Sequence, residues 1–391
     1  MSNKQIDFIL QKAVADIGIP GVVAIIANEE KTLYEGAFGQ IGKGSRQVIT
    51  LDTVFWIASM TKAITTVAAL QLVEKGLIHL HEPIVNVLPE IDRIPVLDGY
   101  NDDGNPILRE SNNPITLHHL LTHTAGFTYD MWNEDIVRYA SEEKIPGIIR
   151  CQNETLEKTP AVFDAGDRWE YGINIEWAGK VVEAVSGQSL RDYMLEHILL
   201  PLGMNDTDFI LKEEQRKRLA IMHARDENGR LHAIDFEVTQ QPEFFMGGGG
   251  LYSTAGDYIK FLQMLLNEGS LNDVQVLQSQ TVKMMMSNQI GDLNVQPQIT
   301  AMPSSTNNVN FFPDIIKKWG YGFMITTEDV PDARRAGSLA WAGLGNTYFW
   351  MDPTEKIAAV FLTQILPFAD EDVLEVFSQL EEGIYNHLLV K

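Results

Sequence analysis

The sequence is poor in cysteine and in positive charge. Cys151 is the single cysteine among 391 residues, so no intrachain disulfide can form and no oxidising compartment is required. Lysine and arginine together number 30 against 53 aspartates and glutamates, which gives a formal net charge of −23. A surface this acidic repels phosphate backbones and anionic lipid headgroups. We therefore expect neither nucleic acid nor a membrane surface as a partner.

Long hydrophobic runs are also absent. No stretch approaches the roughly 20 apolar residues that a membrane-spanning helix needs. Residues 1–21 lack the apolar core and the small-residue cleavage site of a secretory signal. Their apolar positions Ile6, Ile9, Ala13 and Ile17 have helical spacing instead. These features predict a cytoplasmic protein that begins with a helix.

Several common motifs of catalysis and binding are missing. The Gly-x-Ser-x-Gly element of α/β-hydrolases does not occur, which disfavours that fold. The glycine run 247–250 lacks the Lys-Ser or Lys-Thr of a phosphate loop and predicts a tight backbone turn beside the active site. His119 and His123 have the i, i+4 spacing of metal ligands, but no carboxylate completes a site, so a structural role is favoured. We expect no metal and no organic cofactor.

The chain does contain strand patterns, and these lie near its two ends. Apolar runs at 22–28 and 32–40, separated by charged turn residues, predict a hairpin. Three further strands are predicted at 320–326, 346–352 and 356–364, the last two joined by a turn that contains proline.

The centre of the chain is predicted to be helical. Helical spacing that stops at glycine predicts helices over 115–126, 173–187, 189–203 and 254–269. A further helix is predicted to close the chain over 370–390. Segments rich in asparagine, proline and serine at 101–113 and 296–310 are predicted loops.

This arrangement predicts a fold of the α/β plus α class. The simplest architecture is an α/β domain made of residues 1–85 and 300–391, with a mainly helical domain of residues 86–299 inserted between them. We expect the active site in the cleft between the two domains.

Ser59 and Lys62 stand at the beginning of an apolar segment and share one face of its helix. Burial and the positive end of the helix dipole both disfavour a charged lysine here. To be half neutral at pH 7, Lys62 needs a pKa lowered by about 3.4 units, or ~4.6 kcal/mol. A neutral lysine can take the proton of a serine hydroxyl and make it a nucleophile. The same spacing at Ser141 and Lys144 lies among charged residues before a proline, and we assign it no role.

Five ordered segments resemble serine hydrolases related to class C β-lactamases, and the group they resemble most is the family VIII carboxylesterases. The resemblance covers nearly the whole chain and implies a β-lactamase-like fold, with an antiparallel sheet flanked by helices and an inserted, mainly helical domain. The segments are IASMTKAITTVAALQLVEKG (57–76), LLTHTAG (120–126), FDAGDRWEYGINIEWAGKVVEAVSG (163–187), MGGGGLYSTAGD (246–257) and WAGLGNTYFWMDP (341–353).

The resemblance implies three catalytic residues. Ser59 would be the nucleophile, and Lys62 would form a proton-transfer pair with Tyr171, which opens the segment 171–173. One member of the pair would accept the proton of Ser59 and the other would return a proton to the leaving group.

The resemblance also implies a substrate-binding strand at 341–343. Trp341 would line the substrate, and Gly343 would allow the backbone to approach it closely. The N–H of Leu344 would complete an oxyanion hole with the N–H of Ser59.

Two positions depart from the β-lactamase pattern. Ile173 occupies the position of the β-lactamase asparagine, and Asn174 is one residue late, which on a helix turns it about 100° away. Trp341 replaces the lysine that grips a β-lactam carboxylate. Both departures weaken the case for β-lactam hydrolysis and favour a neutral, apolar acyl substrate.

The sequence therefore predicts a serine carboxylesterase that hydrolyses short- to medium-chain esters through an acyl-enzyme on Ser59. A small-molecule ester is the expected partner. An acyltransferase, a D-peptidase or amidase, a weak β-lactamase, or a penicillin-binding-like sensor that is acylated only once could use the same residues. Because Lys62 and Tyr171 titrate together, the sequence does not assign the base of each step. It also indicates neither the natural substrate nor the oligomeric state.

Overall fold

The computed structural model describes residues 2–389, which form strands and helices along the whole chain. The strands are β1 (Gly21–Asn28), β2 (Thr32–Gly39), β3 (Phe55–Trp56), β4 (Val96–Tyr100), β5 (Pro106–Arg109), β6 (His223–Arg225), β7 (Leu231–Ala233), β8 (Tyr252–Ser253), β9 (Ser270–Leu271), β10 (Val274–Gln275), β11 (Lys317–Trp319), β12 (Met324–Thr326), β13 (Leu339–Gly343), β14 (Thr347–Asp352), β15 (Ile357–Leu362) and β16 (Ile365–Leu366). The α-helices are α1 (Ser2–Lys12), α2 (Thr61–Glu74), α3 (Leu117–Leu121), α4 (Glu134–Glu142), α5 (Asn153–Lys158), α6 (Asn174–Ser186), α7 (Leu190–Met194), α8 (Glu213–Arg216), α9 (Ala255–Leu266), α10 (Ser279–Met285) and α11 (Glu371–Gly383). Single 3₁₀ turns occur at Ala58–Met60, Ile84–Asn86, Pro89–Arg93, Asp130–Trp132 and Ile148–Arg150, and π turns at Ala13–Ile17, Leu195–Leu199 and Ile384–Leu388.

A seven-stranded sheet joins the two ends of the chain in the order β11-β12-β13-β14-β15-β1-β2. Every neighbouring pair is antiparallel. The first strand pairs with the last long strand, so that Val23 lies opposite Leu362. Every residue of β14 and β15 is buried, in keeping with the apolar run of β15 and the apolar centre of β14. The predicted fold class, an antiparallel sheet flanked by helices, is confirmed.

Helices cover both faces of this sheet. Because side chains alternate along a strand, β1 contributes Val22 to one face and Val23 to the other. The face of Val22 packs against the terminal helices α1 and α11 in one core cluster. On the face of Val23, α9 contacts β1 and β15. Helices α2 and α6 pack against each other and belong to the same core cluster as Val23 and α9. The predicted domain boundaries after residues 85 and 299 stay a prediction.

The predicted helices are confirmed where the helical pattern extends over many residues. Segments 173–187 and 254–269 contain α6 and α9, and the predicted hairpin is formed by β1 and β2. The helix predicted over 115–126 is wrong beyond α3, because His123 and Gly126 have φ of 57° and 100°. A Cβ on Gly126 would lie 2.2 Å from the Phe163 carbonyl oxygen, so the segment that follows α3 needs glycine at this position.

Other predictions are confirmed only in part. The strand predicted over 320–326 begins at Met324, because Gly322 has φ of 87° in a turn, and β11 before it was missed. The predicted loop 101–113 contains β5, which pairs with β4 as a hairpin. The closing helix predicted over 370–390 is formed by α11 and the π turn that follows it. Its last residue, 390, lies outside the described residues.

No helix within residues 2–389 has both the length and the apolar character needed to cross a lipid bilayer.

Candidate active site

Ser59 lies in the 3₁₀ turn that connects β3 to the buried helix α2. Ala58, just before it, has a φ of 44°, a conformation that costs energy for a residue with a side chain. The side-chain amide of Gln364 holds the strand that leads into this turn. It accepts from the N–H of Trp56 at 3.1 Å and donates to the C=O of Trp56 at 3.0 Å. The nucleophile candidate therefore sits on a turn that is held from the neighbouring sheet.

Ser59 opens into a cleft of about 560 Å³, part of it open to solvent. We call this the Ser59 cleft. Its walls are mostly apolar and suit an apolar acyl group. The predicted residues Tyr171, Trp341, Gly343 and Leu344 also line it. The remaining lining residues are Trp56, Ala58, Tyr129, Met131, Trp132, Ile148, Ile149, Met246, Gly248, Gly249, Gln298, Ala342 and Phe368.

Lys62 lies one helical turn after Ser59 and is fully buried. Its Nζ is 3.1 Å from Ser59 Oγ, 3.0 Å from the Tyr129 hydroxyl oxygen and 2.6 Å from the Gly248 carbonyl oxygen. Burial lowers the pKa of Lys62 to about 7, while the negative charge of Glu176 raises it. The predicted pair of Ser59 and Lys62 is in contact, and the lysine is poised to be neutral near neutral pH.

Tyr171 lines the Ser59 cleft and packs against Lys62. Lys62 Nζ is 4.8 Å from the centre of the Tyr171 ring. Burial raises the pKa of the Tyr171 hydroxyl, and interactions with the Ser59 side chain and the Trp341 indole partly oppose this rise. The structure thus brings together all three residues that the resemblance implied. Tyr171 remains a neutral phenol, able to donate a proton, around neutral pH.

Two buried residues that the sequence analysis missed complete this cluster. The Tyr129 hydroxyl donates to Glu176 Oε1 at 3.0 Å, and the N–H of Gly248 donates to Glu176 Oε2. Burial raises the pKa of both side chains, and Lys62 lowers that of Glu176. Glu176 is the one charged residue in segment 173–178, and this could have marked it as a functional candidate from the sequence. No feature of the sequence marked Tyr129, because it lies in an irregular segment after LLTHTAG.

The glycine run 247–250 forms the tight turn that the sequence predicted, and it borders the Ser59 cleft. A Cβ on Gly248 would lie 2.2 Å from Glu176 Oε1, so a side chain has no room there. Glycine therefore lets the backbone of residue 248 reach both Lys62 and Glu176.

Gly343 brings the end of β13 directly against the backbone before Ser59. A Cβ on Gly343 would lie 2.3 Å from the Ile57 carbonyl oxygen and 2.3 Å from Thr347 Oγ1. This close approach places Leu344 and Ser59 on the same cleft. The assignment of their N–H groups to an oxyanion hole stays a prediction.

Asn174 and the two histidines do not line the Ser59 cleft, although the centre of the His123 ring lies 4.8 Å from that of the Tyr171 ring. Asn174 is buried and donates to the Phe127 carbonyl oxygen at 3.1 Å. His119 accepts from the N–H of Thr116 in the cap of α3. Burial lowers the pKa of His123 well below its usual range. Among residues 2–389, no three histidine, cysteine or carboxylate side chains cluster closely enough to hold a metal ion.

The sequence profile of the beta-lactamase family matches residues 6–381. This chain belongs to the beta-lactamase family. Monacolin J acid methylbutanoyltransferase from Aspergillus terreus is 32% identical over 391 residues, covering 96% of this chain and 94% of that protein. Lovastatin esterase from Penicillium rubens is 30% identical over 390 residues, covering 95% of this chain and 96% of that protein.

Solved structures agree with these relatives. A mutant of simvastatin synthase from Aspergillus terreus superposes with a TM-score of 0.86 at 30% sequence identity, over 99% of this chain and 97% of the other. The family resemblance expected from the sequence is confirmed. The protein is an enzyme of the serine-hydrolase type with a beta-lactamase-like fold.

Proposed function

We propose that this protein is a serine acyltransferase, which moves an acyl group from an ester or thioester donor through Ser59 to an alcohol, with hydrolysis as the competing reaction. The observation that carries this proposal is the similarity, over nearly the whole chain, to a methylbutanoyltransferase. The sequence favoured a carboxylesterase and left the acyltransferase as an alternative. The relatives favour the alternative, while an esterase among them keeps hydrolysis as the second candidate.

In the first half-reaction, Ser59 Oγ attacks the carbonyl carbon of the donor. The hydroxyl proton passes to the Lys62–Tyr171 pair and from there to the departing alcohol or thiol. The N–H groups of Ser59 and Leu344 stabilise the negative oxygen of the tetrahedral intermediate. Loss of the leaving group leaves the acyl group esterified to Ser59, with its chain in the apolar Ser59 cleft.

In the second half-reaction, the hydroxyl of an acceptor attacks the carbonyl carbon of the acyl-enzyme and gives its proton to the same pair. The bond from that carbon to Ser59 Oγ then breaks, and the pair returns the proton to Ser59 Oγ. A second cavity supports such an acceptor. It holds about 790 Å³, part of it open to solvent, and shares Trp132, Tyr171 and Gln298 with the Ser59 cleft. We call it the acceptor cavity. It is also lined by Asn133, Arg168, Trp169, Glu170, Gln296, Pro297 and Ile299.

The charges of the acceptor cavity suit an uncharged alcohol. Arg168 and Glu170 form an ion pair at 3.0 Å, and Asn133 donates to the same carboxylate at 3.1 Å. The charges of Arg168 and Glu170 are therefore paired with each other. The side-chain amides and indole rings of the cavity wall remain to contact the acceptor. An acceptor bound here has its hydroxyl beside Tyr171, and its binding energy favours it over water.

The test measures products with p-nitrophenyl esters of increasing acyl length and a series of alcohols that runs from methanol to bulky apolar secondary alcohols. We expect p-nitrophenol release, together with a new ester whose share of the product rises with alcohol concentration. Free acid as the only product at every alcohol concentration would identify an esterase. A single stoichiometric burst would identify the sensor.

A further inference from the structure

We infer that Glu176 is a positioning residue that, by holding the hydroxyl proton of Tyr129, directs the lone pair of neutral Lys62 at Ser59. This inference rests on the proposed function in one respect, namely that Ser59 is the nucleophile. It assigns Lys62, rather than Tyr171, as the group that takes the proton of Ser59 during acylation. It holds for transfer and for hydrolysis alike, because both begin with acylation.

Three oxygens surround Lys62 Nζ. The Gly248 carbonyl oxygen, at 2.6 Å, can only accept a hydrogen bond. The Tyr129 hydroxyl, at 3.0 Å, could in general donate or accept. Its own hydrogen, however, is engaged by Glu176 Oε1 at 3.0 Å, so it accepts from Lys62. Two of the three directions around the nitrogen are therefore taken by N–H donors.

A neutral amine has two N–H groups and one lone pair. With both N–H groups committed to Gly248 and Tyr129, the remaining direction points to Ser59 Oγ, 3.1 Å away. That direction must hold the lone pair. The serine hydroxyl can then donate its proton to Lys62 without any rotation of the lysine.

Burial raises the pKa of Glu176, but the hydrogen-bond donors around its carboxylate favour the ionised form. Donors reach both of its oxygens, the Tyr129 hydroxyl at Oε1 and the Gly248 N–H at Oε2. A protonated Glu176 would have to place its own hydrogen against one of these donors. Hydrogen bonds of this kind stabilise the charged carboxylate. Gly248 contacts both charged side chains, because its N–H binds Glu176 and its carbonyl oxygen binds Lys62.

Glu176 is also the charge that acts on Lys62. The other ionisable groups nearby are kept neutral by burial, which raises the pKa values of Tyr129, Tyr171 and Cys151 and lowers that of His123. Burial also raises the pKa of Asp130, which lies next to Tyr129 along the chain. Removal of the Glu176 charge should therefore lower the pKa of Lys62 further.

The test is the pH profile of kcat/KM for p-nitrophenyl ester cleavage by Glu176→Gln. Loss of the charge should move the acidic limb to lower pH by about one unit or more. The plateau should fall about tenfold or more, the range for a misdirected general base. An amide has one acceptor oxygen for two donors, so Tyr129 can turn its hydrogen toward the Lys62 lone pair. Glu176→Asp keeps the charge and should restore the acidic limb.

A matched control is Asp257→Asn, which removes another buried carboxylate from a different helix. It should lower thermal stability without moving the acidic limb. An unmoved limb in Glu176→Gln, with a loss of activity that parallels the loss of stability, would overturn the inference and leave Glu176 a structural residue.

If Glu176→Gln does not fold, Tyr129→Phe decides. It retains the carboxylate but frees one N–H of Lys62 to turn toward Ser59, so the plateau should fall about tenfold. An unchanged plateau in Tyr129→Phe would overturn the inference. Full activity of Ser59→Ala would instead remove the proposed function, and so the two failures are distinguishable.

Discussion

The indole N–H of Trp341 donates a hydrogen bond to the hydroxyl oxygen of Tyr171 at 3.1 Å. Both side chains are buried at the wall of the Ser59 cleft. Because the indole supplies this donor, the hydrogen of Tyr171 stays free for Ser59 or a substrate oxygen. The sequence resemblance aligns Trp341 with a lysine of β-lactamases, and in the structure Trp341 holds the hydroxyl of Tyr171.

Trp341→Phe tests this relationship, because it keeps an aromatic ring and removes the N–H. We expect kcat/KM for ester cleavage to fall about fivefold to tenfold, the value of one hydrogen bond of 1 to 1.4 kcal/mol. Trp350→Phe is the matched control, since Trp350 lies on the adjacent strand β14 and its N–H has no partner within residues 2–389. Equal losses in the two variants would show that only packing matters.

Ser59→Ala tests the nucleophile. We expect loss of acyl transfer and hydrolysis by about 10⁴-fold or more, because the acyl-enzyme cannot form. Ser141→Ala is the control, since Ser141 has the same spacing to a lysine but is exposed at the end of α4. The measurement is the rate at which each variant cleaves a p-nitrophenyl ester, and Ser141→Ala should keep the rate of the unmodified protein. Substantial activity in the Ser59 variant would contradict the mechanism.

The pKa of Lys62 predicts two pH effects. Since burial lowers it from 10.5 to about 7, kcat/KM should rise through about pH 7 and level off above it. Between those two values the unfolded chain binds more protons than the folded one, so the free energy of unfolding should rise with pH in this window. Lys62→Met should abolish activity and flatten that rise, as measured by denaturant titrations at several pH values. A rise that persists in the variant would assign it to another group.

Gly343→Ala tests the contact between β13 and the turn of Ser59. The added Cβ would lie 2.3 Å from the Ile57 carbonyl oxygen, so the backbone must shift and move Leu344 away from Ser59. We expect kcat/KM to fall about 100-fold, the effect of a lost oxyanion donor. Gly256→Ala should leave it unchanged, because its Cβ would meet only Thr254 Oγ1 at 3.9 Å.

Ile299→Trp tests the acceptor cavity by filling it. Ile299 is 63% exposed and lines that cavity but not the Ser59 cleft. We expect a higher KM for bulky alcohol acceptors, with unchanged p-nitrophenol release in water. Ile149→Trp, in the Ser59 cleft, should instead shorten the preferred acyl chain of the donor. Transfer that is unaffected by Ile299→Trp would place the acceptor elsewhere.

Much of the fold was predictable because it depends on local patterns. The apolar runs of β1, β14 and β15 are long enough to indicate buried strands, and the spacing in α6 and α9 indicates helices. Short elements such as β5 and β11 were missed, because three or four residues carry too little periodicity. The helix expected over 115–126 ends with α3 at Leu121, because the backbone turns to positive φ at His123 and Gly126, which the spacing of apolar residues does not reveal.

By itself the sequence determined the nucleophile candidate and its nearest base, because Ser59 and Lys62 are three residues apart on one helix and their contact is local. Only the tertiary structure decided how Lys62 is oriented. Its partners Tyr129 and Gly248 are 67 and 186 residues away along the chain, and Glu176 reaches it through them. A hydrogen bond depends on distance and direction in space, and for groups this far apart in sequence these are set by how the helices and the glycine turn pack together.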